Sequence, residues 1–285
     1  MSGRERWQRL FLAPAPAAAL VATRAIVALH SLWIVLSRPE LPELAGWPAP
    51  FFRDLDPGLL LRFGIGTLPL AGEQVLYLLL HATLALAALG LRPRLACGVS
   101  AALLYHFAPF EEAIMGMPHT FFGGLTLPVL GLTVLALADA PKHGVLSPEH
   151  RWPVVLIRLL FSFNYFFAGV AKLRFGGLLW FTGDNLANWA IENWALSGAP
   201  WALRFADSSV ACWTAALGTG LLEFLFPLAA FSPRAAAVLA PLALAGHFAI
   251  AHTLGIFFPS FPLLLLYVDW DALARGRPAQ SGDGI

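Results

Sequence analysis

Charge is scarce in this sequence. Asp, Glu, Lys and Arg make up 12% of its 285 residues, about half of the roughly 25% usual in a soluble domain, which argues against a water-soluble globule. Neither sign dominates: 18 basic and 17 acidic residues leave +1, so electrostatics give no reason to expect nucleic acid as a partner. Cysteine is nearly absent. Cys97 and Cys212 stand alone in apolar runs with no CxxC spacing, so no disulfide framework or cysteine metal site is expected. Heptads and internal repeats are missing, and the Ala/Pro run at 13–19 is the one low-complexity stretch.

What remains is apolar. Hydrophobic residues make up 58% and mean hydropathy is +0.70, the composition of a chain that crosses a membrane several times. Eight candidate spans stand at 17–37, 73–91, 95–110, 118–138, 153–173, 211–231, 235–253 and 255–268. The expected fold is all-α: a polytopic transmembrane helical bundle forming one integral-membrane domain over 1–285, with a polar tail from 271. Arg4, Arg6 and Arg9 before APAPAAAL resemble the start of a signal peptide, but the train of spans that follows argues against one.

Two links, 38–72 and 174–210, are long; the others are short turns. Lys and Arg favour the cytoplasmic side. With the N-terminus inside, that side collects Arg4, Arg6, Arg9, Arg92, Arg94, Lys142, Arg151, Arg234, Arg275 and Arg277. The far side collects only Arg38, Arg53, Arg62, Arg174 and Arg204. Both termini are therefore expected in the cytoplasm, and both long links outside. Their tryptophans (Trp47, Trp180, Trp189, Trp194, Trp201) suit short helices at the outer interface.

On the fifth span the few polar residues form a line. Arg158, Ser162, Tyr165, Gly169 and Lys172 fall at i, i+4, i+7, i+11 and i+14, within an arc of about 80° at about 100° per residue. A polar stripe on an otherwise greasy helix faces protein or a cavity. Counting along the spans places His106, His119, His247 and His252 in the outer half with Lys172. Arg24, Arg158 and Glu223 fall in the inner half, where structural ion pairing is expected. A metal held by His106, His119 and His252 would lack a carboxylate, so none is expected. His247 and His252 are five residues apart and point about 140° away from each other, which argues against a haem held by both.

The run YFFAGVAKL at 165–173, followed by Trp180 and Gly183, resembles the membrane domain of vitamin K-dependent gamma-carboxylases and their bacterial relatives, the horizontally transferred transmembrane (HTTM) proteins. HTFFGGLTLPVLGLTVLALADA at 119–140, EFLFP at 223–227 and GHFAIAHTLGIFFPSFPLLLL at 246–266 are similar to further stretches of that domain. The likeness covers roughly 115–268. It implies that Lys172 is the base toward a reduced quinone, a vitamin K-like hydroquinone, and that His119 lies beside it as a catalytic residue. In that family the oxygenated product is a stronger base that removes a γ-proton from a glutamate side chain, and the carbanion captures carbon dioxide. Ser162, Tyr165, Gly169, Trp180, Gly183, His106, His247 and His252 are expected to line an outward-facing pocket. The partners so implied are membrane lipid, a small-molecule substrate and a protein or peptide substrate, in a bacterial inner membrane. The sequence shows no counterpart of the family's large luminal region, so a smaller substrate or a different outcome from glutamate carboxylation is the expectation. A lysine serves as a base only where desolvation disfavours its charged form. The same pocket also suits a non-catalytic carrier of a lipid or isoprenoid.

Overall fold

A computed structural model of the chain describes residues 3–47, 68–114, 125–140 and 144–275. The fold is helical throughout; among the described residues the only β-type pairing is an isolated bridge between Ala15 and Ser147. Two compact units emerge, Met1–Ile157 with Asp269–Ile285, and Arg158–Val268. Among the described residues, five helical elements are long and apolar enough to cross a membrane: Ala18–Leu36, Leu70–Leu89, Pro148–Thr182, Ser209–Phe231 and Pro233–Leu254. Helices suit that environment because each satisfies its own backbone hydrogen bonds. Val238, Leu242 and Phe248 lie exposed on the last of them, as expected where the outer solvent is lipid.

The first unit contains α1 (Gly3–Leu12), α2 (Ala18–Leu36), α3 (Leu41–Ala45), α4 (Leu70–Leu89), α5 (Pro93–Ile114) and α6 (Thr126–Leu137). Leu80, Leu84, Leu104, Phe107 and Leu132 are fully buried in its core. Helices α2 and α4 cap each other. Tyr77 of α4 donates to the Val35 and Arg38 carbonyls at 2.6 and 3.1 Å, while Arg24 of α2 donates to the Ala87 carbonyl at 3.1 Å. Each of these carbonyls lies at or just past a helix end and also accepts a backbone amide, so the side chain adds a second donor there. Helix α4 then stops at Gly90, whose φ of 76° is left-handed and whose missing Cβ makes room for the Arg24 guanidinium. Arg24 thus caps a helix, where an inner ion pair with a carboxylate was expected. Replacing it with methionine should cost about 1–2 kcal/mol, the worth of a charged donor at a helix C-terminus. Thermal unfolding in detergent measures this, and a change within about 0.5 kcal/mol, as at an ordinary surface site, would contradict the capping role.

Glu73 opens α4 and is fully buried. Its carboxylate accepts from the Leu68 amide at 2.7 Å and lies 2.7 Å from His106 Nε2 on α5, so both oxygens are used. The C-terminal segment Trp270–Arg275 forms a short helix, α13, and Asp271 accepts from the Ala19 amide at 3.0 Å. It supplies the cap that Ala17, at the start of α2, lacks.

The second unit begins within α7 (Trp152–Gly176) and continues through a 3₁₀ turn, Gly177–Thr182. It then holds α8 (Asp184–Ser197), α9 (Pro200–Ala206), α10 (Ser209–Leu225), α11 (Leu228–Phe231) and α12 (Pro233–Leu254). Ser208 and Ser232 accept from the Ala211 and Ala235 amides at the starts of α10 and α12, the usual hydroxyl N-cap. The short helices expected in the 174–210 link are α8 and α9. They pack on α10 and α12 through Leu186, Ala190, Ala199, Ala202, Ala216 and Leu254, mostly small side chains that let helices approach closely.

The eighth expected span takes a different form. Residues 255–260 are irregular and Phe261–Tyr267 is a 3₁₀ helix, roughly 14 Å long at about 2.0 Å per residue, too short to cross. Pro259 and Pro262 deny the backbone donors that an α-helix needs. Leu263, Leu264, Leu266 and Tyr267 are buried; their hydrophobicity fills a protein core.

Candidate functional site

Every member of the stripe on α7 meets another element of its unit. At the lower end Arg158 donates to the Leu266 and Val268 carbonyls at 2.7 and 3.3 Å. The Tyr267 hydroxyl donates to the Arg158 carbonyl at 2.8 Å and lies 2.5 Å from Ser162 Oγ. With its one proton spent on that carbonyl, the Tyr267 oxygen accepts from Ser162. Arg158 and Ser162 thereby anchor the 3₁₀ helix to α7.

One turn on, the Tyr165 hydroxyl lies 2.6 Å from His247 Nε2 on α12. The Tyr165 ring stacks on Phe226 at a centroid separation of 4.1 Å and 20°, and Phe161 meets both rings edge-on. His247 Nδ1 is buried with no hydrogen-bond partner among the described residues.

Next comes Gly169, where α7 and α10 touch. A Cβ there would lie 3.2 Å from Glu223 Cβ and 3.4 Å from the Phe224 ring. Because Gly169 presents no side chain, Glu223 reaches past it to Lys172, whose Nζ donates to Oε1 at 2.5 Å. The ion pair is withdrawn from solvent: the side chains are 24% and 10% exposed. Trp180, from the 3₁₀ turn after α7, lies over the ammonium at 5.1 Å from its ring centroid, within cation–π range. The second carboxylate oxygen, Glu223 Oε2, is buried and has no partner among the described residues.

This places Glu223 differently from its expected position among inner structural charges with Arg24 and Arg158. It belongs to the stripe, bonded to Lys172. The expected pocket-lining residues separate likewise. Tyr165, Gly169, Trp180 and His247 join the Lys172 cluster, while Ser162 holds the 3₁₀ helix. Gly183 has a φ of 89° and lies against the α10 backbone, so it sets how closely α8 and α10 approach. His252 stacks on Trp201 at 4.5 Å and 5°, and its carbonyl accepts from Trp201 and Asn193 at the end of α12. His106 pairs with Glu73 in the first unit. His119 lies outside the described residues.

Two participants in this cluster escaped the sequence reading, Tyr267 and Phe226, and so did Glu73, the partner of His106 in the first unit. Tyr267 had a visible signal, the single hydroxyl closing the LLLLY run. Glu73 had another, a lone carboxylate at the head of an apolar helix. Phe226 had none, since nothing in a sequence rich in phenylalanine singles it out.

No known protein family, characterised protein or solved structure matches the chain.

Proposed function

We propose that the chain is an integral-membrane protein of the gamma-carboxylase-like kind it resembles, with both termini cytoplasmic in a bacterial inner membrane. In this reading the 158–268 unit binds a quinol-like or lipidic small molecule and takes a proton from it. The proton-accepting centre is the Lys172–Glu223 pair, with Lys172 the residue that the resemblance makes the base.

The observation that carries this reading is the contrast along one stripe. Arg158 and Ser162 are engaged in structural bonds, whereas the pair higher up is buried yet incomplete. A buried polar atom without a partner is costly and calls for an explanation. Among the described residues Glu223 Oε2 and His247 Nδ1 are two such atoms; Tyr165 and Phe258 lie beside His247, and Trp180 lies over the Lys172 ammonium. An apolar molecule bearing hydroxyl groups would supply the hydrogen bonds those two atoms lack. A reduced quinone is such a molecule, and it supplies an acidic hydroxyl and two electrons when bound. The chain's own contribution is to hold that hydroxyl and receive its proton.

Hydroquinone-dependent oxygen uptake by the purified protein tests the reading, with an isoprenyl naphthohydroquinone as the added substrate. Wild type should turn over, and Lys172→Met should lose roughly a hundredfold or more per folded molecule, the usual worth of a positioned acid–base group. Saturable binding without turnover would identify a carrier. Neither binding nor turnover would overturn the proposal.

A further inference from the structure

From the geometry of the ion pair we infer that the proton taken from a bound hydroxyl comes to rest on Glu223 Oε2, and that Lys172 is the cation that holds the resulting anion. This rests on the reading of the pair as a proton-accepting centre and divides the work within it.

Two buried carboxylates make the distinction visible. Glu73 is fully buried and has both oxygens partnered, one by the Leu68 amide and one by His106. That is the pattern of a structural carboxylate. Glu223 is also buried, at 8% exposure, but only Oε1 is engaged, by Lys172 at 2.5 Å. Oε2 is buried and has no partner among the described residues. A carboxylate oxygen is an acceptor only, and leaving one unsatisfied away from water is expensive. Among the described residues nothing completes Glu223, and the hydroxyl of a bound molecule is a donor that would.

Lysine is the weaker candidate for that acceptor. Its ammonium is already donating to Oε1, and an ammonium has three donors and no acceptor. Oε2 has the open lone pair. A hydroxyl seated against Oε2 would donate to it; on transfer, the O–H bond breaks, its electron pair stays on the ligand oxygen, and a new O–H bond forms on the carboxyl. The ligand anion then takes over the ammonium's countercharge from Glu223, so net charge in the site is unchanged. His247 Nδ1 is available to a second ligand oxygen, since Tyr165, which holds His247, stands one helical turn from Gly169, which faces Glu223.

A naphthol probes this without turnover, because its neutral and ionised forms absorb differently. Wild-type protein in detergent at neutral pH should bind 1-naphthol roughly tenfold or more tightly than 1-methoxynaphthalene, which lacks the donor, as befits a hydrogen bond to a charged acceptor. Bound naphthol should show the naphtholate band. Infrared difference spectra should show a carboxylic acid carbonyl appearing on binding, shifted by ¹³C-labelled glutamate. Glu223→Gln keeps an oxygen for Lys172 but cannot take the proton, so the band and the preference should vanish. Lys172→Arg keeps a cation that does not act as a base, so the band should persist. A band that survives Glu223→Gln but is lost in Lys172→Arg would make the lysine the acceptor, overturning this assignment and leaving the function above intact. A naphtholate band in wild type without a glutamic acid carbonyl would overturn it in the same way. No naphthol binding by wild type would overturn both.

Discussion

Replacing Lys172 with methionine should destabilise the protein by about 3–5 kcal/mol, the usual consequence of leaving one member of a buried ion pair without its partner. The reason lies with Glu223, which stays buried on α10 beside Gly169 and would lose its only described bond. The cost comes from the stranded carboxylate, so removing that carboxylate as well should recover most of it. Lys172→Met/Glu223→Met puts two apolar side chains of similar volume against each other, a replacement that is often neutral or better. Unfolding of wild type, both single variants and the double variant closes a cycle whose coupling should exceed about 2 kcal/mol. A lysine that merely reached for lipid headgroups would give no coupling, and its loss would leave stability unchanged.

The second large effect is expected at Gly183. Its φ of 89° is one that side-chain-bearing residues avoid, and a Cβ there would lie 2.5 Å from the Cys212 carbonyl carbon and 2.6 Å from the Trp213 nitrogen. Both are backbone atoms of α10, which cannot swing aside. Left-handed strain of roughly 1–2 kcal/mol and overpacking of roughly 1–3 kcal/mol add to about 2–5 kcal/mol for Gly183→Ala. Gly198 provides the control. It has a φ of 71°, but a Cβ there would meet nothing within 4 Å, so Gly198→Ala should carry the backbone strain alone. Comparable melting temperatures for the two variants would mean that α8 does not rest on α10 at Gly183.

The polar stripe was legible because polar residues are scarce here, and five positions at helical spacing on α7 stand out against Leu, Ile, Val and Phe. Its partners were harder to find. Glu223 was displaced by a ruler that equates position along a span with depth in the membrane. That ruler put the end of the helix at 173, whereas α7 runs on to Gly176 and the chain then turns at Gly177, with φ 58°, to bring Trp180 over the amine. Lys172 is thus a turn inside its helix, within reach of Glu223. The span expected at 255–268 failed for a related reason: hydropathy scores a leucine run alike whether lipid or protein surrounds it, and the two prolines were the signal against a helix. Arg24 shows a third limit. A cation in a span was expected to seek a carboxylate, yet a backbone carbonyl at the end of α4, Ala87, which already accepts from Gly90, is the acceptor that Arg24 meets.

Small molecules that stay with the protein through detergent extraction test the site most directly. Mass spectrometry of the wild type should find a quinone or another hydroxyl-bearing isoprenoid in stoichiometric amount, and the Lys172→Met/Glu223→Met variant, folded but without the pair, should lose it. Wild-type protein that carries phospholipid alone, or a variant that keeps the same molecule at the same occupancy, would contradict a ligand site built on Lys172 and Glu223.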